Sequence, residues 1–203
     1  MKNSSKIILD LCGGTGSWSE PYKKRGYDVR LITLPEFDVR LWRRYPEVIE
    51  PIETGDIYGV LAAPPCTMFS RARSTAKTPR DFEGALGVVR ACMDIVWAAR
   101  SAPDSKIKFW VLENPMGLLR QFLGNPTRYF RGWEYGDKHV KFTDLWGYFN
   151  MPMPTVSNPL AFERQKWASP KKPAKYAHLK LTRADIRAIT APKFARAFME
   201  ANR

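Results

Sequence analysis

Between Lys6 and Pro115 the chain alternates short apolar runs with segments of helical period, and this alternation limits the possible folds more than any other feature. Residues 6–11, 28–34, 58–63 and 107–112 read as strands, and residues 17–25, 42–48 and 81–102 as helices. In the last of these, Leu86, Val89, Ala91, Met93, Val96 and Trp97 supply apolar positions at helical spacing. Strands alternating with helices imply a parallel sheet joined by crossover helices. Ligands of such sheets bind beyond the carboxyl ends of the strands. Three of the four predicted strands end in unusual clusters: Asp10 to Gly16, Pro64-Pro65-Cys66, and Glu113-Asn114-Pro115. The fold reading brings these distant segments to one edge.

A chain of 203 residues suits a single domain with its own core. No apolar run reaches the length of a membrane span, and no signal peptide is evident, so a cytoplasmic address is the default expectation. Three cysteines without metal spacing argue for reduced thiols, and two histidines without ligand spacing offer no metal site. The formal net charge of +13 points to a polyanionic partner, nucleic acid first, against generic solubility or an acidic membrane surface. Residues 150–180 are rich in proline and basic side chains and read as irregular and exposed. Thr190 is expected to cap a last helix with Pro192 in its first turn and Phe194, Ala197, Phe198 and Ala201 on one face.

Each cluster has its own chemistry. Glycines after a first strand allow a cofactor to approach the backbone closely. The dinucleotide fingerprint fails, because Ser19 stands where its third glycine belongs, and no lysine sits where a phosphate-binding P-loop needs one. A plain tight turn remains the alternative for this segment. Two prolines before Cys66 stiffen the backbone that would aim a nucleophile, although a buried cysteine in a rigid turn gives the same pattern. Glu113 at a strand end could hydrogen-bond a base edge or move a proton, or could serve as a cap or salt-bridge partner.

Together the three clusters resemble the cytosine-5 DNA methyltransferases. Gly14-x-Gly16 after Leu9-Asp10-Leu11 is similar to that family's cofactor motif, Pro64-Pro65-Cys66-x-x-Phe69-Ser70 to its catalytic motif, and Glu113-Asn114 to its Glu-Asn motif. Ser70-Arg71-Ala72, Gly117-Leu118-Leu119, Tyr135-Gly136 and Thr143-Asp144-Leu145-Trp146-Gly147 resemble small single-domain members carried by phages. Arg187-Ala188-Ile189-Thr190-Ala191-Pro192 resembles the last family motif, whose helix packs beside the cofactor. The resemblance implies an α/β, Rossmann-like class I methyltransferase fold, a mostly parallel sheet flanked by helices. It implies one catalytic domain over residues 1–203, acting as a monomer with S-adenosyl-L-methionine on DNA.

On this resemblance Cys66 is the nucleophile, Glu113 holds the base and Lys141 helps hold the base or a phosphate. Leu11, Cys12, Gly13, Gly14, Thr15, Gly16, Thr33, Asp38, Val39, Pro65 and Ile189 would bind the cofactor. Pro64, Ser70, Arg71, Asn114, Lys171 and Lys172 would contact the nucleic acid. The pattern also departs from the family. The acidic residue ending the second strand is missing, leaving Glu36 or Thr33 to hold the ribose. Cys12 replaces an aromatic that packs on the adenine. Asp56 rivals Asp38 for the adenine amino group. The Gln-x-Arg-x-Arg motif is reduced to His139-x-Lys141-x-Thr143.

The family's large target-recognition domain is absent. In its place stand Arg164, Lys166, Lys171, Lys172, Lys175, Lys180 and Arg183, interleaved with Trp167 and Tyr176. They read as a phosphate-tracking surface of weak or short sequence preference, or as a solvated basic stretch. RNA in place of DNA, a catalytically silent binder, and transfer of a modified one-carbon group are the competing readings. A nicotinamide enzyme is disfavoured by the failed fingerprint. An amino-methylating enzyme is disfavoured because Cys66 follows the two prolines.

Overall fold

The computed structural model describes residues 3–71, 73, 76–137, 141–156 and 172–203. In chain order its elements are β1 (Ile7–Leu11), α1 (Glu20–Lys24), β2 (Asp28–Ile32), a 3₁₀ helix (Val39–Arg44), α2 (Pro46–Glu53), β3 (Ile57–Ala62), α3 (Phe82–Ser101) and β4 (Phe109–Pro115). They continue with α4 (Arg120–Leu123), β5 (Arg128–Arg131), β6 (Phe142–Tyr148), α5 (Arg183–Ala188) and α6 (Pro192–Ala201). The strands form one sheet in the order β2-β1-β3-β4-β6-β5. The first four are parallel, and β6 and β5 are added antiparallel. This is an α/β architecture, a mostly parallel sheet flanked by helices, compatible with a Rossmann-like fold.

Alternation along the strands builds two cores. Leu9, Leu11, Val60, Ala62 and Leu112 belong to a cluster that includes Val89, Cys92, Ile95, Val96 and Ala99 of α3. Ile8, Leu61, Val111 and Leu145 belong to the second, with Trp18, Tyr22, Phe194 and Phe198. Phe194 stacks on Phe130 with ring centroids 3.6 Å apart, and Trp18 meets Phe198 edge-on at 5.6 Å. Both faces of β1 and β3 are therefore covered, as parallel strands require.

Asp81 caps α3 by accepting the Gly84 N–H at 2.8 Å. The stripe of this helix differs from the expected one. Trp97 is 70% exposed, because Cys92, Ile95, Val96 and Ala99 already fill the inward face. The expected helix at 42–48 is instead the 3₁₀ helix followed by α2, which starts at Pro46. Thr190 does not cap the last helix. Ala191 holds the cap position without a side-chain bond, and the Thr190 N–H donates to Ser17 Oγ at 2.9 Å.

Candidate functional site

The parallel register sets Leu11 beside Ala62 and Ala62 beside Leu112, so the carboxyl ends of β1, β3 and β4 lie in line. The chain leaves β1 for β2 on one side and later places β3 on the other, which opens a crevice at the end of β1. The Gly-rich turn occupies that point, and Cys66 and Glu113 follow on the next two strands. Asn114 ties two of the clusters together, its amide donating to the Pro64 carbonyl at 2.9 Å. Asn114 is 1% exposed, so it acts here as a buried tether, and its Oδ1 has no hydrogen-bond partner among the described residues.

Glu113 accepts an ion pair from Lys141, with Nζ to Oε1 at 3.5 Å. Lys141 stands at the entry to β6, which pairs antiparallel with β4 and so returns it to the site. Cys66 is half-buried, and burial raises its thiol above the ordinary range. The Lys141 charge opposes that rise, Glu113 adds to it, and Arg187 of α5 opposes it again. The fold thus gathers the three residues named from sequence and adds a fourth. Arg187 belongs to the segment whose resemblance implied a return beside the cofactor, but its charge had no role assigned, because the sequence does not show how near Cys66 it comes. The Thr190–Ser17 hydrogen bond fixes that return, and it places Ile189 next to the Gly-rich turn.

In the turn itself, Cys12, Gly14 and Gly16 all have positive φ, at 58°, 55° and 66°. Gly13 is required for a different reason: a Cβ there would lie 2.3 Å from the Asp10 carboxylate. Asp10 is fully buried beneath the turn and accepts a 2.5 Å hydrogen bond from Ser19 Oγ on Oδ2. Its Oδ1 has no partner among the described residues. Burial pushes the Asp10 carboxyl up to about 6, against the lowering effect of the Ser19 hydrogen bonds. Ser19, the residue that breaks the dinucleotide fingerprint, thus has a structural task of its own. The Cys12 thiol turns toward the core and hydrogen-bonds Cys92 of α3, which holds Cys92 well above the ordinary thiol range. Leu11 is fully buried and its carbonyl accepts the Ala63 N–H at 2.9 Å, so it supports the turn from beneath, while Thr15 is half-buried in the turn.

Thr33, just past β2, accepts the Gly14 N–H on Oγ1 at 3.2 Å and braces the turn. Asp38 caps the following 3₁₀ helix by accepting the Arg40 N–H at 3.0 Å, and the Arg40 guanidinium pairs with it. Its rival Asp56 precedes β3, at the opposite edge of the sheet, and pairs with Lys106. Of the two, only Asp38 lies at the carboxyl edge. Glu36 is exposed and Val39 is buried in the core. Pro64 is buried and Pro65 exposed, so the pair anchors the turn on one side and presents it on the other.

Ser70 is half-buried and Arg71 exposed on the segment after Cys66. Lys172 is engaged elsewhere, donating to the carbonyls of Ala177 and Leu179 at 3.0 and 2.9 Å. Lys175 pairs with Glu20. Tyr176 is 7% exposed, so it packs inward and is not presented to bases. Lys171, Arg164, Lys166, Trp167, His139 and Ala72 lie outside the described residues. Among the described residues, no cluster of three or more His, Cys, Asp or Glu side chains could hold a metal ion, and no helix is long and apolar enough to cross a membrane. No protein-family model matches the chain, and no curated protein matches it.

Two expectations follow. Alkylation of Cys66 by iodoacetamide, followed by peptide mass spectrometry against pH, should show an inflection above that of a free thiol near about 8.5. At pH 8, Glu113→Gln should speed it and Lys141→Met slow it, each by about fivefold, the equivalent of roughly 1 kcal/mol. Identical profiles in all three proteins would remove both charges from the thiol's surroundings.

The second concerns Asp10. Its folded-state value lies above the ordinary one, so its contribution to stability is present at low pH and is lost as pH rises through about 6. Denaturant unfolding of Asp10→Asn should therefore gain on the natural chain by on the order of 3 kcal/mol between pH 3.5 and 7.5. A difference that stays constant with pH would contradict an uncompensated buried carboxylate.

Proposed function

We propose that the chain is an S-adenosyl-L-methionine-dependent methyltransferase that acts on carbon 5 of cytosine in nucleic acid, with DNA as the first candidate. One observation carries this reading: Cys66 and Glu113 end adjacent parallel strands beside a Gly-rich turn at the switch point of the sheet, with Lys141 on the Glu113 carboxylate. The net charge of +13 supports a polyanionic substrate.

The residues at the crevice fit the cofactor. A Cβ at Gly14 would meet nothing within 4 Å, so the turn is open to close approach. The buried Asp10 Oδ1 beneath it lacks a partner among the described residues, as a carboxylate awaiting a cationic or N–H group would. Gly13 to Gly16, Thr33 and Asp38 would hold the cofactor, with Cys12, Pro65 and Ile189 around it, while Leu11 and Val39 support these residues from the core. When bound, S-adenosyl-L-methionine supplies an electrophilic methyl group.

Carbon 5 of cytosine is a poor nucleophile, and covalent addition at carbon 6 makes it a better one. The Cys66 thiol gives its proton to solvent, and its sulfur pair forms a bond to carbon 6 as the carbon 5–carbon 6 π pair shifts into the ring toward carbon 5 and N3. Lys141 and Arg187 stabilise the thiolate that attacks, and burial ensures that little thiolate exists before the substrate arrives. Glu113 holds the base at N3 and its exocyclic amine, stabilising the charge that develops as sulfur adds. After carbon 5 is alkylated, a base takes its proton and the carbon–sulfur bond breaks, returning the pair to Cys66. The target base must leave a duplex to expose this face.

The whole chain acts as one catalytic domain, with residues 150–180 in place of a target-recognition domain and a short sequence preference as the consequence. The test is transfer of tritiated methyl from the cofactor to duplex DNA, single-stranded DNA and tRNA, with nucleoside analysis of the product. Label in DNA as 5-methylcytosine, lost by at least about 10³-fold in Cys66→Ala, is the expected result. Label in tRNA alone would reassign the substrate. No label in any acceptor, with cofactor binding intact, would leave a silent binder.

A further inference from the structure

The segment after Cys66 folds back on it: the N–H groups of Phe69 and Ser70 both donate to the Cys66 carbonyl, at 3.0 and 2.9 Å. Three consecutive carbonyls of this turn, those of Met68, Phe69 and Ser70, are each engaged by another element. The Leu118 N–H donates to the Phe69 carbonyl at 2.8 Å. Gly117 makes that approach possible, since a Cβ there would lie 2.4 Å from the same oxygen. Arg80 takes the other two, Nη1 donating to the Met68 carbonyl and Nη2 to the Ser70 carbonyl at 3.0 Å. Arg80 is half-buried and has no carboxylate partner among the described residues. It immediately precedes Asp81, the cap of the 20-residue α3, so its backbone is anchored to the longest helix described.

We propose that Arg80 is a positioning residue for Cys66: its guanidinium clamps the Met68 and Ser70 carbonyls and so fixes the turn that aims the thiol. The inference rests on the reading of Cys66 as the nucleophile. A guanidinium suits this task because its planar fork presents two N–H donors in fixed directions, whereas an ammonium is a point charge on a flexible stem. The clamp acts on peptide groups two and four residues beyond Cys66, and it does so from a different element than Leu118. The turn that carries the thiol is thereby tied to the end of β3 on one side and to the residue before the cap of α3 on the other. Misplacement of a reacting atom by about 1 Å costs roughly 10²-fold in rate.

The test uses the full chain with Arg80→Lys and Arg80→Ala, each confirmed as folded by circular dichroism. The kcat for methyl transfer should fall by roughly 10²-fold in Arg80→Ala and by less in Arg80→Lys, while KM for the cofactor stays within about twofold. Alkylation of Cys66 should move the opposite way, becoming faster as the turn loosens and exposes the thiol. Methylguanidinium added to Arg80→Ala should restore part of kcat and slow alkylation. Unchanged kcat and unchanged alkylation would overturn the clamp. So would a rise in cofactor KM that matches the fall in kcat, since that marks general damage to the sheet edge. If the natural chain transfers no methyl group to any acceptor, the alkylation arm still decides. Faster alkylation reversed by methylguanidinium would support the clamp while the functional reading fails, and no change would defeat the clamp on its own.

Discussion

β1 is hydrogen-bonded to β2 on one side and to β3 on the other, both parallel. That pairing forces each connection to cross a face of the sheet, which covers both faces with helices and buries both sides of the central strands. It also aligns the carboxyl ends of β1, β3 and β4, so the turns after Leu11, Ala62 and Leu112 become neighbours. Everything at the candidate site follows from this alignment. Asn114 reaches Pro64, Leu118 reaches Phe69, and Lys141 reaches Glu113 only because these strand ends are level.

The same edge holds buried polar groups. Asp10 and Asn114 each bury an oxygen without a partner among the described residues, and Cys66 holds a half-buried thiol between opposing charges. Buried polar atoms are ordinarily satisfied, so groups left unmet beside a crevice suggest a site prepared for other atoms. The cost is offset by packing elsewhere. Two dense clusters lie on either side of the sheet, with Trp18, Tyr22, Phe109, Phe194 and Phe198 in the aromatic one. The electrostatics are poised in the same manner. Lys141 cannot serve the thiol fully while it pairs with Glu113, and Arg187 adds a second cation from a separate helix.

The parallel half of the sheet was legible because its strands are continuous apolar runs ended by proline or glycine, and because α3 carries a strong cap at Asp81. The antiparallel half was not. β6 contains Asp144 and Gly147, which interrupt the apolar pattern of a strand, and β5 is four residues with arginine at both ends. Asp144 is tolerated there because Arg120 donates to it through Nε at 2.7 Å and Nη2 at 2.5 Å, a pairing that only the tertiary structure creates. The same holds for Thr190, Tyr176 and Arg187, whose positions depend on how the last two helices return to the sheet. Cys66 and Glu113 were accessible from sequence because each ends a strand of recognisable pattern. Arg80 was hidden because its partners are backbone carbonyls, which leave no mark in the sequence.

Covalent trapping on DNA containing 5-fluorocytosine tests the central claim most directly. The fluorine replaces the proton that must leave carbon 5, so an enzyme working through Cys66 cannot release the base after alkylation. Incubation with S-adenosyl-L-methionine and this DNA should give a denaturation-resistant adduct, mapped by mass spectrometry to Cys66 and absent in Cys66→Ser. No adduct from a folded, cofactor-binding protein on DNA that it labels would contradict addition by Cys66. An adduct that persists in Cys66→Ser would assign the nucleophile elsewhere.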